Sequence, residues 1–181
     1  MTLNRLYGFT FVEMLVTITI AAILLMIGVP SFQYVTNSNR IAAEINGLLG
    51  DMQYARSEAI KEGQPVTVCV SQNGTSCVNT NTWQKGWIVF SDVNGNAAVD
   101  AGDVVLRVQK TFASTDTFVA TNNVGAVTFN REGYANGIAN GLIALHDSTN
   151  NHNWIRCLSI NLTGMMLSQT YGNTANGVTC N

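Results

Sequence analysis

Gly8-Phe9-Thr10-Phe11-Val12-Glu13, followed by an uncharged run from Met14 to Pro30, is the stretch that decides how this chain is organised. The head before it, residues 1–8, carries one cation, Arg5. Residues 9–30 number 22, and a helix needs about 20 predominantly apolar residues to cross the hydrocarbon core of a bilayer. The sequence therefore predicts a membrane-spanning helix over residues 9–30.

A single carboxylate, Glu13, interrupts this apolar segment. A charge within lipid costs about 2.5–3.5 kcal/mol on insertion scales, so an acid at this depth marks a functional site. A buried carboxylate stays ionised only beside a cation and is otherwise protonated. The alternative is local: Thr10 and Glu13 have the spacing of a capping box at the start of a helix.

A secretory signal peptide is a second alternative for this segment. Such a peptide has an apolar core of about 7–15 residues and a small-residue cleavage site beyond it. Here the apolar core is longer, no Ala-x-Ala site follows, and a helical pattern continues past Pro30. An ordinary membrane anchor would not need Glu13.

Residues 8–30 resemble the leader and N-terminal segment of type IV pilins and type II secretion pseudopilins. The resemblance implies that a prepilin peptidase cuts between Gly8 and Phe9 and that the new amine of Phe9 is methylated. It also implies that Glu13 meets the N-terminal amine of a neighbouring subunit in a filament, with Pro30 ending the assembly segment. The expected organisation is a leader (1–8), a transmembrane assembly helix (9–30) and a periplasmic domain (31–181).

Beyond Pro30 the sequence predicts an amphipathic helix to about residue 62. Pro30 removes a backbone donor, so a kink or local melting is expected near Gly28–Pro30. Lys61 and Gly63 are plausible stop signals. The apolar residues fall largely at spacings of three and four: Phe32, Val35, Ile41, Ile45, Leu48, Leu49, Met52, Ala55, Ala59 and Ile60.

After Gly63 the pattern changes to strands and turns. Alternating or short apolar runs bounded by Asn, Gly, Asp or Ser predict strands at residues 66–70, 86–90, 104–108, 126–129, 142–145 and 158–162. An antiparallel sheet of this kind has one apolar face, which the amphipathic helix can cover. The predicted fold class is therefore α+β, and the resemblance of residues 8–30 implies a type IV pilin-like fold. Residues 170–181 are polar enough to be a loop or tail.

The segment from Cys69 to Arg107 resembles the GspH/FimT group of minor pilins and pseudopilins. The matching residues are Val68-Cys69-Val70, Cys77, Trp83-x-x-Gly86-Trp87-Ile88-Val89-Phe90, Asp92-x-Asn94-Gly95 and Gly102-Asp103-x-Val105-Leu106-Arg107. This resemblance implies a low-abundance subunit of an initiating or tip complex. Members implicated in natural transformation carry Gly-Arg-x-Arg for DNA phosphates. Here the matching place reads Thr163-Gly164-Met165-Met166-Leu167.

That departure argues against DNA as a partner. Non-specific affinity for DNA comes mainly from cations and the counterions they release, and no Lys or Arg follows Arg156. A small patch of Lys110, Arg131 and Arg156 is the remaining possibility. The chain as a whole is mildly acidic, with a formal net charge of −2, which gives no general attraction to nucleic acid or anionic lipid.

The four cysteines, all beyond the apolar run, suit an oxidising compartment. Three pairings are possible; we favour Cys69–Cys77 and Cys157–Cys180, because each closes a short, turn-rich loop. Free thiols or a metal site are the alternatives, although the spacings are not of a metal-binding type.

A weak calcium candidate lies in the loop after residue 91. Asp92, Asn94, Asn96 and Asp103 imitate a calcium loop, but the sixth-position Gly is missing and ordinary turns use the same residues. No motif of an enzyme is found: His146 and His152 are the only histidines, and no Gly-x-Ser-x-Gly elbow occurs. We therefore expect no catalysis and no cofactor.

These observations predict a minor pilin-like subunit, single-pass in a bacterial inner membrane, with its domain in the periplasm. Its expected partners are other pilin or pseudopilin subunits and the prepilin peptidase/methylase, with DNA an unlikely one. The sequence leaves three machines open: a type IV pilus, a type II secretion system, and a DNA-uptake pilus.

Overall fold

The computed structural model describes residues 8–138 and 141–181; most of the expected leader, residues 1–7 with Arg5, lies outside this part of the chain. The chain forms two compact units, Met1–Asn39 and Arg40–Asn181. Both contribute to one helix, α1 (Phe11–Glu62). After α1, Gly63 adopts φ +69°, and its N–H donates to the Ala59 carbonyl at 3.0 Å. This left-handed cap ends the helix.

Pro30 lies inside α1 without interrupting it. The helix is therefore not melted at Gly28–Pro30, and that expectation was wrong. The kink expected at the same place stays a prediction. Proline deprives only the carbonyl four residues earlier of its donor. The helical bonds on either side of that position are enough to keep the turn formed.

The strands that follow α1 form two larger sheets and a ribbon, all antiparallel. Sheet A has the order β3-β2-β1-β5-β6, sheet B the order β4-β7-β8-β9, and β10 pairs with β11. The strands are β1 (Val66–Val70), β2 (Gly86–Ser91), β3 (Val104–Lys110), β4 (Thr117–Ala120), β5 (Ala126–Phe129), β6 (Ala135–Asn136), β7 (Gly141–His146), β8 (Arg156–Ile160), β9 (Met166–Thr170), β10 (Thr174–Ala175) and β11 (Val178–Thr179). Short 3-10 turns lie at Trp83–Lys85, Thr121–Asn123 and His152–Trp154.

The main core joins one stripe of α1 to the inner faces of both sheets. The helix contributes residues spaced by three or four, as an amphipathic helix requires: Ile41, Ile45, Leu48, Met52, Ala55 and Ala59, all buried. Sheet A adds Val66, Val68 and Val70, and sheet B adds Phe118, Ile143 and Leu158. The indoles of Trp83 and Trp87 lie in the same cluster.

Two sequence-based expectations about the sheets were wrong. The sequence predicts one sheet with one apolar face, whereas the structure has two sheets, each with a second apolar cluster on its other face. On sheet A this cluster contains Cys69, Ile88 and Phe90. On sheet B it contains Leu142, Ala144 and Cys157. The tail expected at residues 170–181 contains the β10–β11 ribbon. Val178 and Cys180 of that ribbon region pack on the sheet B cluster.

Candidate assembly site and neighbouring surfaces

The first turn of α1 holds the residues expected to act in assembly. The Glu13 N–H donates to the Thr10 hydroxyl oxygen at 3.2 Å, so Thr10 caps the helix as half of the capping box predicts. Phe9 is 81% exposed, and Glu13 is exposed. Among the ion pairs of the described residues, none includes Glu13. Its carboxylate is thus available to a cation supplied from outside the chain.

The helix beyond Glu13 presents apolar side chains along its whole circumference. In residues 8–36 every side chain is exposed, including Leu24, Met26 and Ile27. α1 is long and apolar enough to cross a membrane. Three threonine hydroxyls in this segment donate to carbonyls of the helix itself: Thr17 to Met14 at 2.9 Å, Thr19 to Val16 at 2.8 Å and Thr36 to Phe32 at 2.7 Å. Such internal satisfaction is what a helix in hydrocarbon requires.

At the start of the second unit, two acids and one guanidinium lie together. Arg40 binds Asp116 through two hydrogen bonds, Nε–Oδ2 at 2.8 Å and Nη2–Oδ1 at 3.0 Å, and Asp116 is buried. Glu44 accepts a hydrogen bond from the Ser114 hydroxyl at 3.0 Å. Its other oxygen, Oε2, is buried without a hydrogen-bond partner in the described part of the chain. Burial, and then the nearby Asp116 charge, raise the pKa of the Glu44 carboxyl above its ordinary 4.5.

A second polar contact fastens the middle of the helix to sheet A. Asp51 accepts from the Trp87 indole N–H at 2.9 Å and from Arg107 at 3.0 Å. The Arg107 guanidinium also stacks over the Tyr54 ring, 3.7 Å from its centroid. Sequence reasoning missed these pairings and that of Arg40 with Asp116. The sequence shows only that these helix residues are charged and lie outside the apolar stripe, which does not identify a partner far along the chain.

The place matched to the Gly-Arg-x-Arg signature is a tight turn leading into β9. Gly164 has φ +74°, and a side chain there would collide with the Gly133 carbonyl and Arg56. Arg56 donates to the carbonyls of Gly133, at 2.9 Å, and Thr163, at 3.2 Å. Glycine is therefore required by the turn itself. The one guanidinium at this site is occupied in holding that turn to α1.

Of the three cations considered for DNA, Lys110, Arg131 and Arg156, the two arginines have partners of their own. Arg131 pairs with Glu132 at 2.8 Å. Arg156 donates to the carbonyls of Asn153 and Ile155 at 3.0 and 2.9 Å. Their guanidinium groups are thus engaged locally, which weakens the case for a phosphate-binding patch.

The calcium candidate forms a loop whose acids bind backbone N–H groups. The two oxygens of buried Asp92 accept from Asn96 and Ala97 at 3.1 and 2.9 Å. Asp103 accepts from Val93 and Asp100 at 3.1 and 2.8 Å, and the amides of Asn94 and Asn96 donate to Asp100. Within residues 8–138 and 141–181, no group of three or more His, Cys, Asp or Glu residues has a metal-binding arrangement. The contacts are those of an ordinary Asx-rich turn.

All four cysteines are paired in the structure, as the two local bridges that the sequence favours. Cys69–Cys77 closes a separation of 8 residues and Cys157–Cys180 one of 23. The first ties the loop after β1 to sheet A. The second ties the C-terminal ribbon region to β8.

Comparison with known families gives two matches. The family described as "Type II transport protein GspH" matches residues 44–164. This match extends beyond Arg107, where the motifs that resemble the GspH/FimT group end. The prokaryotic N-terminal methylation motif matches residues 3–29. The search of curated proteins gives no match.

Among solved structures, the type IV minor pilin FimU of Pseudomonas aeruginosa (strain PAO1) is similar in two crystal forms. One has 23% identity and a TM-score of 0.56, covering 76% of this chain and 92% of that chain. The other has 22% identity and a TM-score of 0.53, covering 72% and 91%. This similarity confirms the α+β, type IV pilin-like fold.

Proposed function

The chain belongs to the GspH family, whose profile covers residues 44–164, and on that premise we propose that it is a minor subunit used in assembling a type IV pilus. Its place is the initiation or tip complex, because the minor pilins it resembles are low-abundance subunits. The observation that carries the proposal is the N-terminal methylation motif on a helix whose first 30 described residues bury nothing apolar within the chain.

Processing at Gly8 and Phe9 is the first step of this role. Removal of residues 1–8 leaves the amine of Phe9 four residues before Glu13, and Phe9 and Glu13 are both exposed. Methylation keeps that amine cationic. Before assembly, residues 9–30 lie in the bacterial inner membrane, and residues 31–181 lie in the periplasm, where the disulfides persist.

Glu13 supplies the specificity of docking. In lipid an unpaired carboxylate is costly, whereas a carboxylate beside a neighbouring subunit's amine is compensated. A subunit therefore gains free energy on entering a filament where that amine is positioned. Thr10 keeps the helix start formed through its bond to the Glu13 N–H.

The second candidate machine is a type II secretion system, which the description of the family, "Type II transport protein GspH", favours. The same docking chemistry serves both filaments. DNA uptake is the weaker third candidate, because residues 157–181 hold no charged side chain and phosphate binding needs cations. A structural subunit of this kind needs no catalytic group.

The test compares three full-length variants in a strain deleted for the gene. Glu13→Ala should be inserted and processed normally but enter purified filaments at least about tenfold less than the parent, since one ionic contact in lipid is worth more than about 1.4 kcal/mol. Glu13→Gln should behave in the same way. Thr10→Val, the control, removes the helix cap but keeps the carboxylate, and should still be incorporated.

Pilus-dependent motility, protein secretion and transformation are scored together to identify the machine. Mass spectrometry of the parent should show a methylated Phe9 and no residues 1–8. Normal incorporation of Glu13→Ala would show that the carboxylate acts only as a helix cap. Equal losses of incorporation in Glu13→Ala and Thr10→Val would lead to the same conclusion. An intact head would contradict the processing step.

A further inference from the structure

The exposed edge of sheet B lies at β9, and the hairpin before it fixes which backbone groups face outward. The Gly164 N–H donates to the Asn161 carbonyl at 3.0 Å, and the Asn161 N–H donates to the Met165 carbonyl at 3.1 Å. Asn161 and Met165 are therefore a hydrogen-bonded pair across the hairpin. Bonded and non-bonded pairs alternate along an antiparallel ladder.

The alternation can be followed along β9. Leu167, which opposes Ser159, bonds to β8, as does Gln169. Met166 and Ser168 then direct both N–H and C=O away from β8. No hydrogen bond from another described residue reaches these groups, and Ser168 is exposed. The edge thus offers a row of unsatisfied backbone donors and acceptors.

The opposite edge of the same sheet, at β4, is closed by the chain itself. The outward N–H of Phe118 donates to the Gln84 side-chain oxygen at 3.0 Å. The outward N–H of Ala120 donates to the Asn81 carbonyl at 3.1 Å, and the Asn81 amide donates back to the Ala120 carbonyl at 3.1 Å. The outward N–H groups of β4 therefore have partners within the chain, whereas no partner of the outward N–H groups of Met166 and Ser168 is found among the described residues.

The edges of sheet A carry other protection. β3 has two cations, Arg107 and Lys110, and a register shift against β2; β6 has two residues, and its Ala135 N–H donates to the Leu162 carbonyl at 3.0 Å. Charges, bulges and short strands are the usual means by which proteins prevent edge-to-edge pairing. β9 has five residues, and no charged side chain or proline occurs in residues 157–181.

An apolar groove of about 410 Å³ adjoins the unprotected edge at Met166. α1 forms its other wall, with Ile60 and Gln53, and Met165 lines it beside the strand. Ile60 and Met165 are 52% and 48% exposed. The cation in the groove, Arg56, already donates to two carbonyls. A cationic side chain entering here would lose water and meet the positive charge of Arg56, which no described acid pairs.

We propose that β9 is a strand-addition site: an extended, cation-free segment of a partner protein pairs with β9 and places one apolar side chain in the groove. Main-chain bonds along an edge with a side-chain pocket at one end are the features of this mode of recognition. A five-residue contact is small and therefore weak by itself. The partner is accordingly a protein tethered in the same membrane, where its effective concentration is high.

The test uses the full chain in detergent micelles and a defined probe, a capped seven-residue peptide of alternating threonine and valine with a central leucine. Amide hydrogen exchange is measured residue by residue. At saturating, millimolar peptide, exchange at Met166 and Ser168 should slow at least about tenfold, because each outward amide gains a hydrogen bond. Exchange at Leu167 and Gln169 should not change, since those amides already bond to β8.

Two controls distinguish pairing with the β9 edge from non-specific peptide binding. Ser168→Pro removes an outward N–H and no ladder bond, so it should weaken peptide binding at least about tenfold while Leu167 and Gln169 stay protected. A matched peptide with a central lysine should not bind.

No protection at Met166 and Ser168, or equal binding by Ser168→Pro, overturns the proposal. Protection of those amides that grows with protein concentration and without peptide also overturns it, because a second copy would then occupy the edge. Filament assembly plays no part in these measurements, so their failure would leave the proposed function standing.

Discussion

Residues 11–35 and residues 41–59 belong to one helix, yet they place their apolar side chains in opposite environments. In the first stretch apolar residues occupy all sides and remain exposed; Leu24 is 66% exposed. In the second they recur every three or four positions and are buried; Leu48 is 0% exposed. The difference teaches that periodicity, rather than apolar content, shows whether a helix is completed by its own domain or by lipid and other subunits.

The largest effect should come from truncating the buried stripe. Leu48→Ala leaves a cavity in the core, which typically costs about 2–5 kcal/mol, whereas Leu24→Ala should leave the stability of the domain unchanged. All three tryptophans lie in residues 40–181, so near-ultraviolet circular dichroism during denaturation of the full chain in micelles reports on the domain. Equal losses from both variants would remove the distinction between the two stretches.

Removing disulfides should act on the same unit with a slightly smaller effect. Replacing both Cys157 and Cys180 by Ala should cost about 2–4 kcal/mol, and about 1 kcal/mol more than the Cys69 and Cys77 double variant, because the closed loop is longer. Denaturation midpoints provide the comparison. Peptide mapping of the parent should find two bridges and no free thiol; a Cys69–Cys157 bridge would reject the local pairing.

The smallest effect concerns the acid at the start of the buried stripe. The folded-state pKa of Glu44 is raised, so between the unfolded value and the folded one the native state binds more protons, and stability falls as pH rises through this window. Glu44→Gln should therefore be more stable than the parent at neutral pH, by less than about 1 kcal/mol because the group is partly open to solvent. The gain should vanish below about pH 4.5; a gain independent of pH would point to packing instead.

How much the sequence reveals also differs between regions. β1 follows directly from its alternating valines, and the buried stripe of α1 follows from its spacing; β5, Ala-Val-Thr-Phe, gives a weaker signal. β9 was missed because Ser168 and Gln169 interrupt the apolar alternation. Gln169 is buried only because the ribbon covers that face, with its amide near the Val178 carbonyl at 3.4 Å.

The polar contacts at the site depended on information that spacing does not contain. Arg40 and Asp116 are separated by 76 positions, and β4, which follows Asp116, carries no strong strand signal. Helix periodicity separates Arg40 from the apolar stripe and says nothing of its partner, which is set by the path of the intervening strands. The capping role of Thr10, by contrast, involves neighbours three residues apart and was readable directly.

The spacing of the two disulfides also bears on the order in which they can form. A chain entering an oxidising compartment in order presents Cys69 and Cys77 about 80 positions before Cys157. At about 5–20 residues per second this head start lasts several seconds, comparable to the time that disulfide formation requires. Vectorial delivery thus gives the first pair of thiols time to react before the second pair arrives. Refolding from a fully reduced chain lacks that ordering, and mispaired isomers should accumulate there.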